Sequence, residues 1–260
     1  MSAAEQIIDL PETSEAEIRR LIELQKKAHI AEGPMTAERR ISLIDKSIAI
    51  LVENKDAIVD ALNADFGNRS PEGSLATDVG STIAALKYAK KNVRSWMKAS
   101  KRHSVFPLGL LGASTRVEYQ PLGCVGNVVP WNFPFNLCFG PMSSIFAAGN
   151  RTIIKPSEYT PHCALLTKDL CEKYFDVEDV AVVLGGPETG ANFSKMPFDH
   201  LLFTGATSIA SHVMRAAAEN LVPVTLELGG KSPVIVSETA DMKKTAARVM
   251  TGKTLNAGQI

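Results

Sequence analysis

Three short stretches place reactive residue types where an α/β protein can use them. Glu227 stands in Leu226-Glu227-Leu228-Gly229-Gly230-Lys231-Ser232-Pro233, a carboxylate inside an apolar strand pattern. Burying an ionised carboxylate is costly, so the pKa of a buried Glu227 should rise, which suits a general base near neutral pH. The two glycines after it allow close backbone approach. Lys155-Pro156-Ser157-Glu158 closes another apolar run. At the carboxyl end of a strand, this lysine and glutamate could bond a ribose diol, and the carboxylate would repel a 2′-phosphate, favouring NAD over NADP while leaving NADP possible. Phe203-Thr204-Gly205-Ala206-Thr207 lies between a strand pattern and a helix pattern. A glycine there permits a sharp turn, and the free N–H groups of the following helix suit a phosphate. Read alone, each stretch also has a structural explanation: a buried glutamate held by backbone donors, an exposed Lys/Glu pair, an ordinary strand–glycine–helix joint.

The elements that must position these residues follow from periodicity. Residues 14 to about 100 read as helices. Ser14 with Glu17 resembles a capping box, Thr36 caps a helix striped by Ile41, Leu43, Ile44, Ile48, Ile50 and Leu51, and a further helix covers Ile83 to Met97. Their charges read as a solvated surface with no chemistry of their own. Near Ser104 the texture changes to short apolar runs punctuated by Gly and Pro. Strands are expected at Thr115–Tyr119, Cys124–Val129, Thr152–Lys155, Ala181–Leu184, Leu201–Thr204, Val224–Glu227 and Pro233–Val236. Helices are expected at Phe135–Ala148, Pro161–Phe175, Glu188–Lys195, Ser208–Asn220 and Met242–Lys253. This alternation implies an α/β fold: a Rossmann-like open parallel sheet with helices on both faces, preceded by an N-terminal helical segment.

Composition narrows the function classes. The chain has 260 residues, 45% of them hydrophobic, enough for one large domain or two modest ones. Lys+Arg and Asp+Glu are 28 each, so no net field recruits nucleic acid. Met1 to Leu10 lacks a cationic stretch followed by an apolar core, and no apolar run is long enough for a membrane segment. Cys124, Cys138, Cys163 and Cys171 show neither CxxC nor metal-site spacing, and read as buried, reduced thiols of a cytoplasmic protein with no metal.

Taken together and in order, the stretches resemble the aldehyde dehydrogenase family. Leu226 to Pro233 resembles its active-site glutamate signature, Pro130-Trp131-Asn132-Phe133-Pro134 a second family motif, Lys155 to Glu158 with Thr160-Pro161 its ribose segment, and Phe203 to Thr207 its pyrophosphate segment. The helical N-terminus and the run Pro134 to Leu137 resemble the coniferyl and fatty aldehyde branch. The resemblance implies oxidation of an aldehyde, coniferyl or another aromatic or long-chain one, to the acid with NAD(P)+. In that chemistry a cysteine thiolate forms a thiohemiacetal, hydride leaves for the nicotinamide, and water hydrolyses the thioester. It implies Glu227 as general base and Asn132 as oxyanion donor. It also implies a cofactor site of Trp131, Lys155, Ser157, Glu158, Gly205, Ala206, Thr207 and Leu228. Residues 1–100 would pack as a helical segment on a cofactor domain at 101–260, which includes the start of an oligomerisation hairpin at about 113–129 and the first residues of the catalytic domain. Homodimers or homotetramers would follow.

One departure divides the expectation. The family nucleophile follows a segment like Asn256-Ala257-Gly258-Gln259 by one or two residues, and none of the four cysteines stands there. The nucleophile and the rest of the catalytic domain are therefore expected beyond Ile260, leaving residues 1–260 inactive alone. The alternative is a non-catalytic NAD-binding or interaction module. An unrelated reductase would want Tyr-x-x-x-Lys, which none of the four tyrosines provides.

Overall fold

The computed structural model describes residues 9–260; the N-terminal reading over Met1 to Ile8 lies outside them. Five helices come first: α1 Glu15–Glu32, α2 Ala37–Glu53, α3 Lys55–Phe66, the short α4 Pro71–Ser74 running on through a π-helical turn at Leu75–Gly80, and α5 Ser81–Trp96. Ser14 Oγ accepts from Glu17 N at 3.2 Å, while the Glu17 carboxylate pairs with Arg20. Only half of the expected capping box forms. Thr36 caps α2 as its type predicts, accepting from Arg39 N.

A two-stranded antiparallel ribbon follows, β1 Ser100–Arg102 against β2 Thr115–Val117. Of the segment 113–129, only Thr115–Val117 lies in this ribbon; β3 Cys124–Val128 is the central strand of the main sheet. That sheet adds β4 Arg151–Lys155, β5 Val180–Val182, β6 His200–Gly205 and β7 Val224–Leu228, all parallel, in the order β5-β4-β3-β6-β7. The connections are α6 Pro134–Ala147, α7 Pro161–Tyr174, α8 Pro187–Ser194 and α9 Thr207–Ala218; α10 Met242–Thr254 follows β7.

Alternation along the strands divides the core in two. Val125, Ile154, Val180 and Val182 face α2, α3, α5, α6 and α7, while Cys124, Ile153, Ala181, Leu201 and Phe203 face α1, α8 and α9. The expected sheet covered on both faces is therefore present. Gly126 shows how close the second layer sits: a Cβ there would lie 2.8 Å from Leu201 and 2.9 Å from the Phe198 ring.

One expected strand does not form. Pro233 to Val236 carries no ladder; Val234 and Val236 are exposed, and Ile235 almost fully so. A strand exists only with a hydrogen-bonded partner, and among the described residues none flanks this stretch.

The charges of the N-terminal segment are not merely a solvated surface. Asp78 Oδ1 accepts from the N–H groups of Phe135 and Asn136, in the first turn of α6. Asp65 does the same for His162 and Cys163 at α7, and Glu12 for Gly186 at α8. The residues that precede these helices give no side-chain cap. Carboxylates remote in sequence supply it, each such cap contributing about 0.5–2 kcal/mol.

Candidate active site

The order β5-β4-β3-β6-β7 reverses direction at β3: the chain steps outward through β4 and β5, then returns to β6 on the other side. In an open α/β sheet a crevice opens beyond the strand carboxyl ends at such a point. Lys155 stands opposite Val128, and Gly205 opposite Leu228, so the strands end nearly level. Two cavities lie there. One, of about 660 Å3, is lined by Trp131, Lys155, Ser157, Glu158, Gly205 and Ala206. The other, of about 860 Å3, is lined by Trp131, Asn132, Thr207, Glu227, Leu228 and Gln259. They share Pro130, Trp131, Thr204, Gly205 and Ala206, and so form one crevice. All ten residues singled out from the sequence border it.

In the first cavity Lys155 is buried, and its Nζ donates to Glu158 Oε2 at 2.7 Å. Ser157 Oγ accepts from Tyr159 N, tightening the turn after β4. Gly205 closes β6 where a Cβ would meet the Phe203 ring at 2.7 Å, so the bare backbone is a steric requirement. α9 starts here with Ala206 before it and no side-chain cap. Its first-turn donors face the crevice and, among the described residues, receive no carboxylate of the kind that serves α6, α7 and α8.

In the second cavity Asn132 Nδ2 donates to Gln259 O at 2.8 Å, and Asn256 Nδ2 donates back to Asn132 O at 2.7 Å. Asn132 Oδ1 is buried with no partner among the described residues. The segment 256–259 thus lies against the Pro-Trp-Asn-Phe-Pro loop.

Glu227 corrects an expectation. It is exposed, not buried, because among the described residues β7 is the edge strand of the sheet and Thr204 on β6 is the one neighbour of Glu227 across the ladder. Its carboxylate has no hydrogen-bond partner among the described residues, so its candidacy rests on its place in the crevice and not on desolvation.

Sequence reasoning missed Arg69 and Asp78. Asp78 is fully buried; Arg69 Nη2 donates to its Oδ2 at 2.6 Å, and Arg69 Nη1 to Asn132 O at 3.2 Å. Burial drives the Asp78 carboxyl above its ordinary range, against the pull of Arg69. No motif marks either residue. The available signal was an acidic residue on the inward side of a helical pattern, next to Val79.

The four cysteines are free and buried. Burial pushes Cys171 up to about 12 and raises Cys124, Cys138 and Cys163 as well, with Asp199 and Asp65 adding to Cys124 and Cys163. Native protein at pH 8 is therefore expected to resist iodoacetamide, with all four thiols labelled only in denaturant, as counted by mass spectrometry. Fast native labelling of Cys138 would contradict its structural role. The raised values also set an alkaline limit. Unfolded thiols ionise above about pH 8.5 while folded ones stay protonated, so stability falls as pH rises past that point, by about 1.4 kcal/mol per thiol per pH unit.

The model of the "Aldehyde dehydrogenase family" matches residues 2–260. A coniferyl aldehyde dehydrogenase from a Pseudomonas species is 55% identical over 239 residues, 92% of this chain and 49% of its own length. A substrate-bound Staphylococcus aureus AldH structure superposes with TM-score 0.88 at 37% identity, over 94% of this chain and 52% of that one. An NAD+ complex of an aldehyde dehydrogenase from Bacillus cereus superposes with TM-score 0.84 at 29% identity, over 96% of this chain and 50% of that one. The chain spans about half the length of the curated relatives it matches. Among the described residues no helix is long and apolar enough to cross a membrane. On the matched model, the shared fold and the motifs gathered in one crevice, this chain belongs to the aldehyde dehydrogenase family.

Proposed function

We propose that this chain is the cofactor-binding and base-bearing part of an NAD-dependent oxidoreductase that converts an aldehyde, of the coniferyl or another aromatic or long-chain class, to its carboxylic acid. The observation that carries the reading is the 2.8 Å bond between Asn132 Nδ2 and Gln259 O. It supports the reading by bringing Asn132, the proposed oxyanion donor, against a segment that resembles the one preceding the family's nucleophile. Residues 1–100 form the supporting helical segment and 101–260 the cofactor domain.

The crevice fits NAD by its donor set. The uncapped first turn of α9, reached past bare Gly205 and Ala206 to Thr207, suits a pyrophosphate. Lys155 and Glu158 suit the two hydroxyls of a ribose, with Ser157 holding their turn, and Trp131 and Leu228 wall the crevice. When bound, NAD supplies the hydride acceptor. The chain's own residues do the rest. Asn132 donates an amide N–H to the oxygen that gains charge when a thiolate adds to the aldehyde carbon. Glu227 takes a proton from the water that attacks the thioester carbonyl. The thiol leaves, and the acid is released. None of the four buried thiols can serve as that nucleophile, so residues 1–260 alone are expected not to oxidise aldehydes.

Calorimetry on purified residues 1–260 tests the cofactor half directly. Weak NAD binding is expected, tighter than NADP. Glu158→Gln should narrow that preference several-fold by removing the repulsion toward a 2′-phosphate, and Lys155→Met should weaken both. A folded sample that binds neither dinucleotide would overturn the reading.

A further inference from the structure

Arg69 follows the end of α3, and Asp78 sits in the π-helical turn at Leu75–Gly80, both in the N-terminal helical segment. Yet the contacts of both converge on the Pro-Trp-Asn-Phe-Pro loop. The Arg69 guanidinium lies 4.8 Å from the centre of the Phe66 ring and 5.1 Å from that of Phe133. It is forked between Asp78 Oδ2 and the main-chain oxygen of Asn132. Asp78 uses its other oxygen on the first-turn N–H groups of α6, immediately after the loop. Asn136 bonds back to Thr77 O and Thr82 Oγ1. The carbonyl oxygen of Asn132 therefore accepts from both Arg69 Nη1 and Asn256 Nδ2.

We propose that Arg69, anchored on Asp78, is the positioning residue that fixes the Asn132 amide toward the reacting oxygen. An ion pair this deeply buried is a poor means of stabilising a fold, since desolvation offsets most of the attraction; what it offers is fixed geometry. The π-helical turn supports the same assignment, because such turns recur at functional sites. A planar fork meets both acceptors at once, and a lysine in its place would reach one of them. The proposal rests on the oxyanion role given to Asn132, and the test separates the two.

The test uses the complete enzyme with Arg69→Lys, Asn132→Ala and their combination. A fourth variant, Arg69→Met/Asp78→Asn, removes the buried pair together in case unpaired charge prevents folding. Single-turnover NADH formation reads the step that Asn132 serves. Arg69→Lys is expected to slow it about ten- to hundredfold with NAD affinity and aldehyde KM within twofold of the parent. On the Asn132→Ala background the same change should have no further effect. In residues 1–260 alone, the NMR signals of the Asn132 side-chain amide should broaden or shift in Arg69→Lys while those of α10 stay in place. An unchanged rate in both Arg69 variants, beside a large Asn132→Ala effect, overturns the positioning role. So does an equal loss on the Asn132→Ala background, which would mean a structural role. If Asn132→Ala itself leaves the rate intact, the oxyanion reading fails, and the NMR result alone then decides whether Arg69 holds the loop.

Discussion

Glu227→Gln in the complete enzyme is expected to leave the first turnover nearly intact and to slow every later one by about 10²- to 10⁴-fold, the usual contribution of a positioned general base. The glutamine keeps the shape of the side chain but cannot accept the proton of the attacking water. Acylation does not use that proton, so a burst of NADH equal to the enzyme concentration should precede a slow steady state. The covalent acyl-enzyme should then be visible by mass spectrometry. Glutamine keeps the size and shape of the glutamate side chain, and a thermal melt of the variant beside the parent checks that it folds alike. Loss of the burst itself would move Glu227 from deacylation to activation of the nucleophile.

Asn132→Ala should give the complementary pattern: no burst, and a rate lowered about 10²- to 10³-fold, equivalent to about 3–4 kcal/mol of lost oxyanion stabilisation. The loss should fall on kcat, with NAD affinity unchanged, because the side chain faces the second cavity and not the one that holds Lys155 and Glu158. Aldehyde KM should change little, since the ground-state carbonyl carries far less charge than the oxyanion. A variant that lost NAD binding as well would indicate that Asn132 shapes the loop as a whole.

The elements were largely legible because their signals are local. Thr36 before an i, i+3, i+4 stripe marked α2, Gly149-Asn150 stopped α6, and short apolar runs beside Gly or Pro marked β3, β4, β6 and β7. Pro233 to Val236 has an equally good strand pattern and is not a strand, since pairing is not a property of the segment that carries the pattern. Glu227 fails as a buried base for a related reason: an apolar strand pattern shows which residues tolerate burial, not whether a neighbour covers them.

By itself, then, the sequence determined the alternation of strands and helices, the four motifs and hence the family, and the list of residues that border the crevice. Each rests on chemistry that neighbouring residues carry. Only the tertiary structure decided where charge and donors are spent. It made Asp78, Asp65 and Glu12 the caps of helices far along the chain, left α9 uncapped at the crevice, and brought Arg69 onto the carbonyl of Asn132. A hydrogen bond between residues 63 positions apart leaves no local periodicity to read; it exists because packing α5 and the π-helical turn against α6 leaves buried donors that must find acceptors.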